Sequence, residues 1–444
     1  MKRRAIVFIT MLLLLTLAGC GGRQNDAPNS EGMSGQPNAA PYDENAGAPA
    51  AQAPSRYLPE TSPAKGPSAE ELVHQEYEQR AREREEQLMA YFRGMTLEEK
   101  VGQLFFAFCP ASGATDKIAR YPLGGVLLFT RDYQDAFGNW LTAEALLSKL
   151  NSFQDAAMQD TGLKLFIGSD EEGGTVTRAS RNPYLFPQKS PSPQALYAAG
   201  GIGAVINDAM EKSFRLTELG INVNFAPVCD VSTDPRDFIY DRTLGQDVLT
   251  TADYVLRMVL SMGDAGMGSV LKHFPGYGNN ADTHTGIAVD DRPYDQFEAV
   301  DLLPFRAGIE AHGKIEPFVL VSHNIVMCMD AELPASLSPE VHRILREELG
   351  FDGVILTDDL AMDALKTYTE NGSAAVLALL AGNDMIVTAD FEAQIPQVLA
   401  AAQDGTLPMG VIDAACLRVL RTKGARFLVP WDAAWEFVME ENGG

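Results

Sequence analysis

Residues 350–365 read GFDGVILTDDLAMDAL and contain the unit from which the predicted fold is built. The β-forming run at 353–357 is mostly apolar and ends directly in Asp358 and Asp359. Near-continuous apolar strands are typical of a parallel sheet that is covered by helices, and charged residues at the carboxyl ends of such strands are typical of βα loops. The stretch therefore predicts a buried strand whose polar residues lie at its carboxyl end.

The same pattern of an apolar run followed by polar residues occurs eight times along the chain. The predicted strands are 101–109, 125–130, 164–170, 222–230, 268–276, 317–325, 353–359 and 384–390. Helical patterns between and after these strands include 142–160, 204–220, 251–266, 338–350 and 411–425. This alternation predicts an α/β protein with a single catalytic domain, a (β/α)8 TIM-type barrel over residues 94–430. An open doubly wound sheet is the alternative, but GGIGAV at 200–205 follows a helical pattern and lacks the third glycine of a dinucleotide-binding loop.

The composition limits the possible partners. The chain has 60 Asp and Glu against 35 Lys and Arg, a formal net charge of −25. This balance argues against nucleic acid as the main partner, because neutralising phosphates requires clustered Lys and Arg. The five cysteines show no CxxC spacing, so we expect no cysteine zinc site, and we predict neither a metal nor a cofactor. Four cysteines lie in apolar runs and are predicted to be small core residues: Cys109, Cys229, Cys328 and Cys416.

The N-terminus predicts export. Three basic residues at 2–4 precede an apolar stretch at 5–17. That stretch is too short for a membrane-spanning helix and has the form of a secretory signal. The sequence LAGC that ends at Cys20 resembles a bacterial lipobox. We therefore predict a lipoprotein signal peptide at 1–19 and a lipid on Cys20; an ordinary signal peptide with an incidental cysteine is the alternative.

Three further segments flank or precede the predicted barrel. Residues 20–66 are dominated by Gly, Pro, Ala, Asn, Gln and Ser, and predict a low-complexity, disordered tether. The charge-rich run at 67–93 begins with a helix-start pattern and predicts an N-terminal helix, and residues 431–444 are expected to be a tail. We expect an exported protein that is lipid-anchored through Cys20 to the outer face of the bacterial cell membrane.

Polar residues collect at the predicted carboxyl ends of the strands. They are Asp170, Glu171, Glu172, Asp230, Lys272, His273, His323, Asp358 and Asp359. A single aspartate at such a position is often only a helix N-cap, and His323 is equally well explained as a structural histidine. A buried charge without a partner is costly. Polar ends on most of the strands at once, with a Lys-His pair among them, therefore indicate an active site.

Two segments hold the residues best suited to catalysis. The loop within 271–286 follows the fifth predicted strand and contains Asp282 and His284. An imidazole with a carboxylate nearby suits general acid/base catalysis near neutral pH. Asp358 directly follows a strand, and a rigid strand terminus suits a nucleophile.

The motifs together resemble glycoside hydrolase family 3 over most of residues 94–425. They are MTLEEKVGQLF (95–105), DEEGGTVTR (170–178), NFAPVCDV (224–231), DRTLG (241–245), KHFPG (272–276), the stretch 335–365 and AGNDMIV (381–387). The D-x-H pattern of Asp282 and His284 is similar to that of the β-N-acetylhexosaminidase branch. The resemblance implies a single barrel that carries its acid/base residue on a loop. That branch sometimes has an extra C-terminal domain, and we expect none here because few residues follow the last predicted helix.

The resemblance implies a role for each site residue. Asp358 matches the nucleophile, in preference to Asp359, and His284 matches the proton donor and acceptor with Asp282 as its partner. Five further residues match positions that hold the sugar: Asp170, Arg178, Arg242, Lys272 and His273. Tyr277 replaces the second histidine of the usual FPGHG, and DEEGGTV replaces DQEGGRV.

The expected activity is retaining hydrolysis of terminal β-linked N-acetylhexosamine from cell-wall or related glycans, by a monomer without a cofactor. A β-glucosidase or β-xylosidase and a glycoside phosphorylase of the same family are the enzymatic alternatives. A sugar-binding lipoprotein on a degenerate barrel is the non-enzymatic alternative. If His284 were not the acid, Glu172 would be the next candidate.

Overall fold

The computed structural model describes residues 68–278, 288–361, 365, 368 and 373–425. The predicted signal peptide, the lipidation site Cys20, the tether and the tail therefore lie outside the described residues. The same holds for Asp282 and His284.

Eight parallel strands form the central sheet. They are β1 (Phe105–Phe108), β2 (Gly125–Leu128), β3 (Phe166–Ser169), β4 (Val223–Asn224), β5 (Gly268–Phe274), β7 (Phe318–Val321), β9 (Ile355–Thr357) and β10 (Ile386–Thr388). Their order is β10-β1-β2-β3-β4-β5-β7-β9. The sheet closes where the Thr357 amide donates to the Met385 carbonyl at 3.1 Å, beside a parallel bridge between Leu356 and Met385. The predicted (β/α)8 TIM-type barrel is confirmed.

Two short strands lie outside the barrel. They are β6 (Val289–Asp290) and β8 (Ile325–Val326), and they pair in parallel. The pairing joins the segment after β5 to the segment after β7. Both segments lie at the end of the barrel that receives the carboxyl termini of the strands, which we call the upper end.

Helices follow most of the strands and form the outer layer. They are α1 (Ala69–Gly94), α2 (Leu97–Gln103), α3 (Ala114–Arg120), α4 (Ala143–Thr161), α5 (Pro193–Glu218), α6 (Val248–Asp264), α7 (Tyr294–Gln296), α8 (Leu302–Ile309), α9 (Pro339–Arg343), α10 (Ala374–Ala381), α11 (Phe391–Asp404) and α12 (Met409–Gly424). Across the described residues, no helix combines the length and the apolar character needed to cross a bilayer.

Several predicted element limits were wrong. Residues 101–103 end α2 instead of opening a strand, because Thr96 and Glu99 form a capping box that starts a helix there. The predicted strand 222–230 is regular only at Val223–Asn224, and the rest is a loop at the upper end. Helix α5 begins at Pro193, where Ser192 caps it, and is interrupted at Gly200 and Gly201, so the helix predicted from residue 204 corresponds to its second part.

Apolar side chains fill the inside of the barrel. The rings of Phe106, Phe225, Phe166 and Phe318 make edge contacts in pairs, each pair with centroids 5.2 Å apart. A Cβ atom on Gly168 would lie 2.8 Å from the Phe225 ring, so only glycine fits at this position of β3. The barrel interior is therefore packed with side chains below the upper end.

The cysteine prediction was partly wrong. Cys109, Cys229 and Cys416 are buried, as expected of small core residues, but Cys328 is exposed. Cys328 follows β8 on the surface near the upper end, so the apolar run that contains it does not continue into the core.

Candidate active site

A pocket of about 370 Å³ opens at the upper end of the barrel. Each of the eight barrel strands contributes to it, either directly or through residues that follow the strand. The lining residues are Phe108, Leu127, Phe129, Asp170, Val176, Arg178, Phe225, Arg242, Lys272, His273, Leu320, Asp358, Asp359 and Val387. The structure thus brings together all the sequence-predicted site residues that it describes.

Lys272 lies at the centre of the charged part of the pocket. Its side chain is only 3% exposed, and its Nζ lies 2.9 Å from Asp170 Oδ1 and 2.6 Å from Glu172 Oε1. Arg178 approaches the other oxygen of Asp170 at 3.5 Å. These contacts hold Asp170, which is 14% exposed, at the pocket wall with its charge compensated from two sides.

Glu172 is enclosed by two cations. Arg242 binds it with two hydrogen bonds, Nη2 to Oε1 at 2.8 Å and Nε to Oε2 at 3.0 Å, and Lys272 adds a third contact. Burial opposes its charge, but Arg242 and Lys272 outweigh that effect and hold the pKa of Glu172 well below its ordinary range. A carboxyl with so low a pKa is a poor proton donor near neutral pH, which argues against Glu172 as the alternative acid.

His273 is oriented by the carboxylate of Asp230, for which the sequence predicts no individual role. Asp230 is 1% exposed, and its Oδ2 lies 2.8 Å from His273 Nδ1. The other ring nitrogen, Nε2, lies 3.0 Å from Arg242 Nη2. A guanidinium can only donate, so Nε2 accepts, and Nδ1 carries the proton that is donated to Asp230.

Asp230 also fixes the start of the next loop. Its two oxygens accept the backbone amides of His273 and Tyr277, at 3.2 and 2.6 Å. The Tyr277 side chain is buried and packs edge-on against the His273 ring. The Asp at the end of NFAPVCD was visible in the sequence, but its two partners lie more than 40 residues further along the chain.

Asp358 lies directly after β9 at the floor of the pocket. Its backbone amide donates to the Val321 carbonyl at 2.9 Å, and its Oδ1 accepts the Asp359 amide at 2.9 Å. The Asp359 carbonyl lies 3.0 Å from His323 Nε2. Since a carbonyl only accepts, Nε2 of His323 donates to it, and Nδ1 lies 2.7 Å from the Ser336 hydroxyl.

His323 is therefore a structural residue behind the pocket. It is fully buried, and its two hydrogen bonds tie the backbone after Asp358 to the segment after β7. Of the two explanations that the sequence left open, these hydrogen bonds support the structural one. The carboxylate of Asp358 thus lies on a backbone that is fixed from two sides.

Two aromatic rings beside the Arg178 guanidinium also line the pocket. The rings of Phe108 and Phe129 lie 4.4 Å apart between centroids, and the Arg178 guanidinium lies 5.3 Å from the Phe129 ring. In the part of the chain that the structure describes, the buried Nε of Arg178 has no hydrogen-bond partner. An unpaired buried donor is costly, so a hydroxyl or carbonyl oxygen of a ligand would be stabilised there.

An eight-stranded barrel with carboxylates and cations converging at the carboxyl ends of its strands is the arrangement of a TIM-barrel enzyme. The model of the glycosyl hydrolase family 3 N-terminal domain matches residues 96–422. The chain therefore belongs to glycosyl hydrolase family 3, and the predicted family resemblance is confirmed.

Individual relatives agree with this assignment. The chain is 30% identical over 332 residues to β-hexosaminidase A of Pseudoalteromonas piscicida, a match that covers 70% of this chain and 54% of that protein. It therefore spans about half the length of that relative. It is 33% identical to β-hexosaminidase LpqI of Mycobacterium tuberculosis, over 59% of this chain and 69% of that protein.

A solved structure also matches. The family 3 β-N-acetylglucosaminidase of Paenibacillus sp. superimposes with a TM-score of 0.68 at 30% identity, covering 76% of this chain and 63% of that one. This similarity supports both the fold and the family.

Proposed function

We propose that this protein is a retaining exo-β-N-acetylhexosaminidase that releases terminal β-linked N-acetylhexosamine from cell-wall or related glycans. The observation that carries the proposal is the position of Asp358, which lines one small pocket together with Asp170, Arg178, Arg242, Lys272 and His273. A pocket of about 370 Å³ is at the small end of the range for ligand sites. It therefore favours a single terminal sugar. The relatives named β-hexosaminidases support the choice of sugar.

In the proposed mechanism the reaction takes two displacements at the anomeric carbon. Asp358 attacks the carbon while His284 protonates the leaving oxygen, and a covalent glycosyl-enzyme forms. His284 then removes a proton from water, which attacks the same carbon and releases Asp358. Asp282 orients the imidazole and stabilises its cation, as a carboxylate does in hydrolase triads.

The charged residues of the pocket would hold the sugar. Lys272 and Arg178 donate charge-assisted hydrogen bonds, and Asp170 accepts them from hydroxyl groups. The neutral His273 is already bonded through both ring nitrogens to Asp230 and Arg242. It therefore shapes the pocket and keeps Arg242 in place. A sugar hydroxyl can bind His273 only at Nε2, and it would share that nitrogen with Arg242.

The substrate assignment is tested with chromogenic β-glycosides. The purified chain should hydrolyse aryl β-N-acetylglucosaminide with a kcat/KM at least about 10²-fold above that for the β-glucoside and β-xyloside, because an acetamido group adds contacts that these sugars lack. Each assay is run with and without phosphate. Preference for the glucoside or xyloside contradicts the proposed sugar, formation of a sugar phosphate contradicts hydrolysis, and binding without turnover supports the non-enzymatic alternative.

The nucleophile is tested with a matched pair of variants. Asp358→Asn should lower kcat by about 10⁴-fold or more, because no covalent intermediate forms. Asp359→Asn, at the neighbouring residue in the same pocket, should retain most of the activity. A 5-fluoro N-acetylglucosaminyl fluoride, which keeps the acetamido group, should label Asp358 in the unaltered protein; labelling of Asp359 would show that the assignment is wrong.

We also propose that the protein is exported and held at the outer face of the bacterial cell membrane by a lipid on Cys20. The support is the lipobox-like LAGC and the low-complexity stretch that follows it. Cys20→Ser should move the protein from the membrane fraction to the soluble fraction. Unchanged fractionation would contradict the proposal, while the activity of the barrel would be unaffected.

A further inference from the structure

A second buried ion cluster lies beside the pocket, on the loop side of β5. Arg292 binds Asp301 through Nη1 and Nη2 at 2.8 and 3.1 Å. It binds Asp290 through Nη2 and Nε at 2.7 and 3.0 Å. Asp290 and Asp301 are 3% and 1% exposed. The guanidinium also lies 4.3 Å from the Phe297 ring. The Arg292 guanidinium is therefore bound by a carboxylate on each of two edges and by an aromatic ring on one face.

The cluster contacts the chain directly before residues 279–287, which the sequence predicts to be a loop and which lie outside the described residues. Gly276 and Gly278 both have positive φ, at 130° and 55°. A Cβ atom on Gly276 would lie 2.6 Å from the Asp301 Cβ, and one on Gly278 would overlap the Arg292 guanidinium. The backbone before the loop therefore lies directly against the ion cluster.

The same cluster contacts the chain where it leaves the loop. Asp290 belongs to β6, and its carbonyl accepts the Met327 amide at 2.9 Å, while the Ala288 carbonyl accepts the Ile325 amide at 2.9 Å. The carboxylate of Asp290 binds Arg292, so one guanidinium joins both ends of the loop. The position of this guanidinium relative to the barrel is set by Asp301, which directly precedes α8.

Packing alone does not require such a cluster. Buried ion pairs often stabilise a fold no better than apolar residues of similar volume. Here two buried carboxylates share one guanidinium, and burial raises the pKa of Asp301 to about 6 despite Arg292. A cluster with this electrostatic cost is better explained by the geometry that it imposes on the two loop ends.

We propose that Arg292 is a positioning residue for catalysis, and that its fork between Asp290 and Asp301 fixes both ends of the loop that carries Asp282 and His284. The inference rests on the proposed acid/base role of His284. General acid catalysis contributes about 10²- to 10⁴-fold and needs the acid within hydrogen-bond reach of the leaving oxygen. A shift of about 1 Å at the loop ends is enough to lose much of that contribution.

The test uses two substrates that differ in their need for the acid. In a 2,4-dinitrophenyl β-N-acetylglucosaminide the dinitrophenolate leaves with little acid assistance. In the methyl glycoside the departing methoxy group must be protonated by the acid. Arg292→Lys keeps the charge but loses the planar fork. It should lower kcat/KM for the methyl glycoside about tenfold more than for the dinitrophenyl glycoside. A role in stability alone would leave the ratio between the two substrates unchanged.

Arg346→Lys is the matched control. Arg346 is another mostly buried arginine, with a side chain 17% exposed against 16% for Arg292, and it binds the buried Asp384 at the opposite end of the barrel. This variant should lose similar stability without changing the substrate ratio. If Arg292→Lys does not fold, Asp301→Asn is measured in the same way. It removes the negative charge of one of the two carboxylates that bind Arg292.

His284→Ala separates the inference from the proposed function. If His284→Ala changes the substrate ratio and neither Arg292→Lys nor Asp301→Asn does, the positioning role is wrong while the acid role stands. If His284→Ala affects both substrates equally, the acid role itself is wrong. In the His284→Ala background, Arg292→Lys should change the ratio no further, because both substitutions act on one step; an additive change would contradict the inference.

Discussion

Each end of the barrel holds a buried carboxylate between two cations, and the two sites use their remaining hydrogen bonds differently. At the lower end, where the strands begin, Asp384 binds Arg346 at 2.5 Å and Arg418 at 3.0 Å. It also accepts the Ile355 amide at 2.8 Å. At the upper end, Glu172 lies between Lys272 and Arg242 in the same manner.

The cations make the difference. Arg346 donates its other hydrogen bonds to the backbone carbonyls of Phe351 and Gly353, at 2.8 and 2.6 Å. Lys272 instead extends the network to Asp170, which faces the pocket. Arg346 at the lower site is thus bonded to Asp384 and to the main chain, and we expect that site to act on stability. The upper site leaves polar groups for a ligand, and similar ion chemistry therefore has a different function at each end.

Between these two ion clusters, the largest expected effect is the loss of Lys272. Lys272→Met leaves Asp170 without its closest cation and Glu172 with Arg242 alone, and it removes a proposed sugar contact. We expect kcat/KM to fall by about 10³-fold or more, which corresponds to about 4 kcal/mol. Steady-state kinetics measure this, with circular dichroism to show that the barrel is folded. A fall of less than about tenfold would place Lys272 outside the sugar-binding site.

At the lower end the expected loss is one of stability. Asp384→Ala leaves Arg346 and Arg418 without their shared carboxylate and should lower the free energy of unfolding by about 3 kcal/mol. The kcat/KM of the folded protein should change by less than about twofold. Denaturant titration gives the first value and kinetics at low temperature the second. Asp253→Ala removes an exposed carboxylate paired with Arg257, and as a control it should cost no more than about 0.5 kcal/mol.

Lys423 offers a smaller, pH-dependent effect at the lower end. Its side chain is fully buried, 2.6 Å from Gln103 Oε1 and 5.2 Å from the Phe166 ring. Burial lowers its pKa to about 7, against about 10.4 for an unfolded lysine. The unfolded chain therefore binds the proton more tightly, so the folded state loses stability as the pH falls from about 10 to about 7.

Lys423→Met should remove that penalty. We expect the free energy of unfolding to rise by about 1–2 kcal/mol at pH 6, and the gain to disappear near pH 10, where the lysine is neutral in both states. Denaturant titration at several pH values measures this, with the exposed Lys314→Met as control. A gain that is equal at both pH values would mean that packing, rather than charge, is the cause.

The smallest expected effect concerns the pocket rim. Phe238 is 40% exposed, and its ring lies 5.7 Å from that of Tyr277, which packs on His273. Phe238→Ala should raise KM about three- to fivefold for a disaccharide substrate, through loss of an apolar surface for the second sugar. The methyl glycoside should be unaffected. An equal change for both substrates would assign Phe238 to the structure of the loop instead.

Much of the site could be predicted because strand ends are local features. Asp170, Lys272, His273 and Asp358 each follow or end an apolar run, and parallel strands in one barrel bring their carboxyl ends together. The sequence predicted the limits of helices and strands less well. Residues 101–103 were assigned to a strand because their apolar character fits both strand and helix, and the cap at Thr96 decided the outcome.

The sequence by itself determined the alternation of strands and helices, the family, and the polar residues at the strand ends, since each of these depends on neighbours within a few residues. Only the tertiary structure decided how those residues are paired. Glu172 meets Arg242 across 70 residues, and Lys272 meets Asp170 across 102. It also separated the enclosed Glu172 from the pocket-facing Asp170, although both belong to one DEE motif. Successive residues point in different directions, and the direction that each side chain takes depends on partners brought near by folding.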